Sequence, residues 1–123
     1  MNFSGKTAIV TGGTGALGSV CAGHLFDAGL DVAIPYNSEK SLTHIPKRIA
    51  EKSDRHLALN VDLTAEDQVE PFLSQVVKKF GSIDYLVNTA GGYTGGSTID
   101  KVTLDEWEDI MKLNMRTAFL ICR

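Results

Sequence analysis

Lys6-Thr7-Ala8-Ile9-Val10-Thr11-Gly12-Gly13-Thr14-Gly15-Ala16-Leu17-Gly18 passes from an apolar run straight into glycine, and a helical pattern begins at about Ala16. This is a strand, a tight turn and a helix N-terminus. Glycine has no Cβ, so the backbone at 12, 13, 15 and 18 can turn sharply and approach a ligand closely. The first helical turn carries N–H groups without intrahelical partners, and the helix dipole adds partial positive charge there. A pyrophosphate suits that end. Gly12, Gly15 and Gly18 are expected to serve the turn, the pyrophosphate approach and the helix–strand packing respectively. Taken alone such a pattern also fits an ordinary strand-to-helix turn. Here an apolar strand precedes it, an amphipathic helix follows and a second strand lies beyond, which favours dinucleotide binding.

The 123 residues suffice for one domain with a modest core, and residues 1–123 read as a single unit. The hydrophobic fraction of 43% and charged fraction of 22% are ordinary for a globular protein. A net charge of −3 gives no electrostatic footprint for nucleic acid or an anionic membrane. No apolar run approaches the roughly 20 residues of a membrane span. Met1-Asn2-Phe3-Ser4-Gly5-Lys6 leads directly into the first strand, so no signal peptide is expected. Cys21 and Cys122 form no CxxC or metal spacing and are expected as buried or half-buried thiols in helices. Together these features predict a cytoplasmic protein without disulfides.

Strands are predicted over residues 7–11, 31–36, 56–61 and 83–88. The first helix spans about 15–28, with Leu17, Val20, Cys21, Leu25 and Ala28 on one face and Gly29 past its last turn. His24 lies beside that stripe and reads as structural. Pro35 stands near the end of strand two, where a missing N–H costs least. Ser38 is placed to cap a helix toward Ala50, which Pro46 splits or prevents. Thr64 and Asp67 form a variant capping box before a helix running to Phe80 with Val69, Phe72, Leu73, Val76, Val77 and Phe80 inward and Gly81 at its end. Thr103 and Glu106 form a second box. The helix they open carries Trp107, Ile110, Met111, Asn114, Ala118 and Ile121 on one side and is still helical at Arg123.

Strands alternating with helices imply an α/β fold: a Rossmann-type, doubly wound parallel sheet covered on both faces. Right-handed crossovers give the strand order 3-2-1-4, with a ligand crevice at the switch point between strands one and four.

With this order the residues resemble the short-chain dehydrogenase/reductases over the whole chain. The landmarks are Gly5-Lys6, Thr11-Gly12 with the glycine turn, Asp62-Leu63, Asn88-Thr89-Ala90-Gly91 and Leu113-Asn114. The resemblance implies that Thr11, Gly12, Thr14, Gly15, Ala16, Leu17 and Gly18 hold the pyrophosphate of a nicotinamide dinucleotide. It implies that Asp62 meets the adenine amino group with the Leu63 backbone beside it. Asn88, Ala90 and Gly91 would line the adenosine-ribose side and brace the sheet. Asn114 would help hold a water in the catalytic proton relay. For Asp62 the plainer reading is a helix-entry residue, and the two are compatible. For Asn114 it is a solvated mid-helix residue, against which its place on the apolar stripe argues, because a buried amide needs partners.

Two positions depart from the commoner family pattern. Ala16 stands where a second glycine is usual, giving T-G-x-x-G-x-x-G, and Thr89 replaces an asparagine. The cofactor preference rests on Tyr36, the slot where an acid would bind the ribose 2′-hydroxyl and repel a 2′-phosphate. Tyr36 is not acidic, and Asn37, Ser38 and Lys40 are placed to surround a 2′-phosphate, so NADP is favoured over NAD.

The family's catalytic serine and Y-x-x-x-K pair, which exchange a proton with substrate, are not found at a catalytic position. Tyr36-Asn37-Ser38-Glu39-Lys40 matches literally but lies at the adenosine end, far from the hydride. The chain therefore reads as the front half of an NAD(P)-dependent oxidoreductase acting on a carbonyl or alcohol. The alternative is a dinucleotide-binding or oligomerising module without turnover. The family often associates through the helix opening at Thr103, so a homo-oligomer is expected. The substrate itself is not legible, although the loop over residues 92–100 is placed to border its site.

Overall fold

The computed structural model describes residues 3–123; Met1 and Asn2, the start of the lead-in to the first strand, lie outside the described residues. The strands are β1 (Thr7–Thr11), β2 (Asp31–Tyr36), β3 (His56–Asn60) and β4 (Tyr85–Asn88). The α-helices are α1 (Ala16–Asp27), α2 (Lys47–Ala50), α3 (Glu66–Phe80), α4 (Leu104–Met111) and α5 (Thr117–Cys122). All pairings are parallel and the sheet order is β3-β2-β1-β4, as the alternation of elements predicts.

Parallel strands must be covered on both faces, and the side chains alternate accordingly. Ile9 of β1 and Ala33 of β2 join Phe72, Val76, Leu120 and Ile121 on one side of the sheet. Val10, Val32 and Ile34 join Ala22, Phe26 and Ile49 on the other. Every residue of β1 is buried, as expected for a strand with neighbours on both edges and helices on both faces.

The face that α1 buries differs from the stripe read from the sequence. Leu17 and Val20 are 67% and 55% exposed, Ala28 is exposed, and Cys21 and Leu25 are only partly covered. Gly18, Ala22 and Phe26 are buried instead, and Gly23 is covered by Arg48 and Pro46 of the segment after β2. Small side chains let the helix axis come close to the strands, and Phe26 fills the wider gap at the far end. Beyond it, Arg55 gathers the carbonyls of Phe26 and Leu30 at 3.2 and 2.7 Å and lies over the Phe26 ring. Gly29, at φ +102°, makes the turn out of the helix as predicted.

Pro46 divides the segment after β2: a 3₁₀ turn over Glu39–His44 precedes the short α2. Ser38 stands before that turn but makes no side-chain cap. The Thr64–Asp67 box does not form. Thr64 turns back on Asp62, α3 is entered from Ala65, and Gln68 Oε1 accepts the Asp62 N–H at 2.9 Å. On α3, Val69, Phe72 and Val76 are buried, Leu73 and Phe80 partly so, and Val77 is exposed. The Thr103–Glu106 box does form, with bonds of 2.8 Å from the Thr103 N–H and 3.2 Å from the Glu106 N–H. The helix it opens is not uniform. Lys112–Arg116 adopt π-helical bonding between α4 and α5. Trp107 and Met111, expected on a buried stripe, are exposed, and so is Cys122. The buried residues of this arm are Thr117, Leu120 and Ile121.

One polar cluster ties the start of β1 to the start of β4. Asp84 accepts from Lys6 Nζ at 2.7 Å, the Thr7 N–H at 2.9 Å and the Ser82 hydroxyl at 2.8 Å. The Lys6 ammonium first, then the Thr7 amide and the Ser82 hydroxyl, hold its pKa down to about 2. A carboxylate whose folded pKa lies below its unfolded value of about 3.9 contributes stability above that value and loses it as pH falls. Asp84→Asn is therefore expected to lower stability at neutral pH, with the gap to the parent narrowing as pH falls from about 4 toward 2. Denaturant unfolding of both forms across pH 2–7 checks this; a gap of constant size at all pH values contradicts it.

Candidate functional site

Because all four strands run parallel, the segments leaving their C-terminal ends gather at one edge of the sheet. They comprise the glycine turn after β1, Asn37 and Ser38 after β2, Asp62 and Leu63 after β3, and residues 89–92 after β4. This brings the cofactor-binding positions read from the sequence to a common edge.

The glycine turn is packed backbone to backbone against the β4 loop at the switch point. Gly12 is at φ +64°, and a Cβ there would lie 2.8 Å from the Ala90 nitrogen. A Cβ on Gly18 would lie 2.1 Å from the Gly12 oxygen and 2.6 Å from Thr89 Oγ. Gly12 thus makes the turn and Gly18 permits the close helix–strand contact. Gly15 stands at the N-cap of α1, and its carbonyl accepts the first helical bond, from the Ser19 N–H at 3.0 Å. Ala16, Leu17 and Gly18 are the first three helical residues, whose N–H groups have no acceptor within the helix. This is the chemistry of an anion cradle: donors on a positive helix end, with no side chain at Gly15 to obstruct approach.

Thr11 locks the two loops together. Its hydroxyl donates to Asn88 Oδ1 and accepts the Ala90 N–H at 3.2 Å. The Thr89 hydroxyl in turn donates to the Thr11 carbonyl at 2.6 Å. The departure at position 89 is therefore accommodated: a hydroxyl reaches the strand backbone directly. Asn88 Oδ1 and the Ala90 N–H thus meet on the single Thr11 hydroxyl.

Asp62 forms its own turn, accepting from the Thr64 N–H at 2.8 Å and hydroxyl at 2.7 Å through Oδ1. The Thr64 hydroxyl and amide, followed by the charges of Lys112 and Arg116, lower its pKa, so the group is an anion at neutral pH. An ionised acceptor half-exposed at this edge suits an amino group. Leu63 is buried beside it. Tyr36 is partly buried, while Asn37 and Ser38 are exposed.

Asn114 lies within the π-helical stretch and reaches across to the β4 loop. Its Oδ1 accepts the Gly92 N–H at 3.1 Å, and its Nδ2 donates to the Gly92 and Ile110 carbonyls, both at 2.9 Å. A Cβ on Gly91 would lie 2.5 Å from that Oδ1, so a larger residue there would displace the Asn114 amide. The amide is thus satisfied by backbone rather than by solvent. The loop beyond covers a cleft of about 310 Å³ against α4, lined by Tyr93, Ile99, Val102, Trp107 and Ile110 among others.

One participant carries no signal in the sequence. His44, in the turn after β2, places Nδ1 3.0 Å from the Thr14 carbonyl of the glycine turn. The two residues lie 30 apart, and no local pattern links them.

The family description for short chain dehydrogenases matches residues 6–123. A 3beta-hydroxysteroid dehydrogenase 2 of Eggerthella lenta is 30% identical over 116 residues, covering 94% of this chain and 45% of that protein. A short chain dehydrogenase from Burkholderia cenocepacia, solved in complex with NADP, superposes with a TM-score of 0.86 at 32% identity, over 99% of this chain and 50% of that one. A 3-ketoacyl-(acyl-carrier-protein) reductase from Brucella melitensis, complexed with NADH, gives 0.86 at 26% identity over 98% and 49%. The chain thus spans about half the length of the relatives it matches. A 3-2-1-4 parallel sheet, a glycine turn wedged against the β4 loop and a family match running from Lys6 to the last residue agree, and the chain belongs to the short chain dehydrogenase family.

Proposed function

We propose that these residues form the cofactor-binding half of an NADP(H)-dependent oxidoreductase acting on a carbonyl or alcohol. The observation that carries the reading is the glycine turn at the β1–β4 switch point, where close packing leaves a helix end open to a pyrophosphate. In this reading Thr11, Gly12, Thr14, Gly15, Ala16, Leu17 and Gly18 cradle the pyrophosphate, with the α1 N–H groups as donors. Asp62 accepts from the adenine amino group beside the Leu63 backbone. Asn88, Ala90 and Gly91 line the ribose side.

Tyr36, Asn37 and Ser38 flank the adenosine ribose. With no carboxylate at the end of β2 to take the 2′-hydroxyl, NADP is preferred over NAD. When bound, the nicotinamide supplies the hydride donor or acceptor. Asn114 holds the Gly92 loop beside that end, and the second lone pair of its Oδ1 remains available to a relay water. The serine and the tyrosine–lysine pair that move the proton belong, in this reading, to residues outside these 123. In this reading a second copy of the chain packs against α4, and the exposure of Leu104, Trp107 and Met111 supports it.

The test is titration of the natural protein at full length with NADPH and NADH, followed by nicotinamide absorbance with a panel of ketones and alcohols. Saturable binding, tighter for NADPH, and turnover of one panel member are expected. Failure to bind either dinucleotide overturns the reading, and tighter binding of NADH overturns the cofactor preference alone.

A further inference from the structure

Thr14 stands between two glycines, Gly13 and Gly15, so the side chains beside the Thr14–Gly15 peptide do little to restrict its orientation. A phosphate cradle needs it fixed, because a carbonyl turned into the cradle would oppose the phosphate charge while an N–H would attract it. Both ends of this peptide are held. The Gly15 N–H donates to the Gly12 carbonyl at 2.8 Å, which closes the turn. The Thr14 carbonyl meets His44 Nδ1 at 3.0 Å. A carbonyl only accepts, so Nδ1 carries the hydrogen, in either the neutral Nδ1–H tautomer or the imidazolium.

We propose that His44 is a positioning residue for dinucleotide binding: its Nδ1–H, by holding the Thr14 carbonyl, keeps the glycine turn in its phosphate-accepting form. This rests on the dinucleotide reading above. His44 comes from the 3₁₀ turn after β2, outside the strand–turn–helix unit that it steadies. It therefore couples the segment leaving β2 to the segment leaving β1. Its ring also walls a cleft of about 390 Å³ with Gly15, Ala16 and Ser19, directly at the α1 N-terminus. His44 is exposed, so its side chain adds little to the core, and its bond to Thr14 is the interaction a substitution removes.

The test uses the full-length natural protein and three variants: His44→Leu, His44→Asn and His44→Gln. Asparagine can present an N–H near the position of Nδ1, whereas glutamine places its amide nearer that of Nε2. Dissociation constants for NADPH, NADH and ADP are measured alongside the melting temperature without ligand. His44→Leu is expected to weaken all three ligands roughly 5- to 10-fold, the effect of one lost hydrogen bond. The unliganded melting temperature should hold, and His44→Asn should recover most of the affinity while His44→Gln recovers little. Unchanged affinity in His44→Leu overturns the role of His44 and leaves the dinucleotide reading intact. Weakening of NADPH alone would assign His44 to the 2′-phosphate and overturn the positioning role. A parent protein that binds none of the three overturns both.

Discussion

Gly18→Ala is expected to weaken dinucleotide binding by roughly 100-fold, the equivalent of one or two charge-assisted hydrogen bonds. The added methyl would lie 2.1 Å from the Gly12 oxygen and 2.6 Å from the Gly12 carbonyl carbon. These are backbone atoms of a turn already pressed against Thr89 and Ala90, so no side-chain rotation relieves the clash. Either α1 lifts from β1 or the turn moves toward the phosphate position. In both cases the N–H groups of residues 16–18 lose their aim. Overpacking of this kind also costs about 1–3 kcal/mol of stability, or a melting point lower by roughly 5–10 °C. Calorimetric titration with NADPH, beside a thermal melt, separates the two effects. Affinity within a few-fold of the parent would mean that the turn is not the phosphate site.

Phe72→Ala is expected to cost the most stability, about 3–5 kcal/mol. Phe72 is 1% exposed and sits between α3 and the sheet face that carries Ile9 and Ala33, with Val61, Val76 and Leu120 around it. A domain of this kind holds only about 5–15 kcal/mol in total. Urea unfolding should show the midpoint falling accordingly. The glycine turn leads into α1, which packs on the other sheet face, so NADPH affinity measured well below the melting point should stay within about twofold of the parent. A loss under 1 kcal/mol would contradict the packing described for α3.

The two predictions also mark where reading residues in order succeeds. The turn at Gly12 and the close contact at Gly18 were legible because each answers a local backbone demand, and local demands are written in adjacent residues. The strand order followed from alternation of elements and crossover handedness. The Thr103–Glu106 box was legible for the same local reason. The buried face of α1 was not. Leu17 and Val20 are the larger apolar side chains, yet the buried face takes Gly18 and Ala22, because closeness of approach mattered more than apolar size at that contact. The Thr64–Asp67 pattern failed since Asp62, two residues earlier, competes for Thr64 and wins it. The π-helical stretch has no sequence periodicity of its own; it becomes intelligible once Asn114 is seen bonding Gly92 and the Ile110 carbonyl. His44 was silent because its partner lies on another element.

The central position of β1 has a consequence for how the chain is made. β1 pairs with β2 on one side and β4 on the other, with Ala8 opposite both Val32 and Tyr85. The first pairing closes a short loop; the second closes one roughly three times as long, at about 1 kcal/mol more in loop entropy. At about 5–20 residues per second, several seconds of synthesis separate β2 from β4. Throughout that interval the most buried strand of the domain has its β4 edge unzipped. A nascent chain of this topology spends its most vulnerable period with its centre, rather than its rim, open to the wrong neighbour.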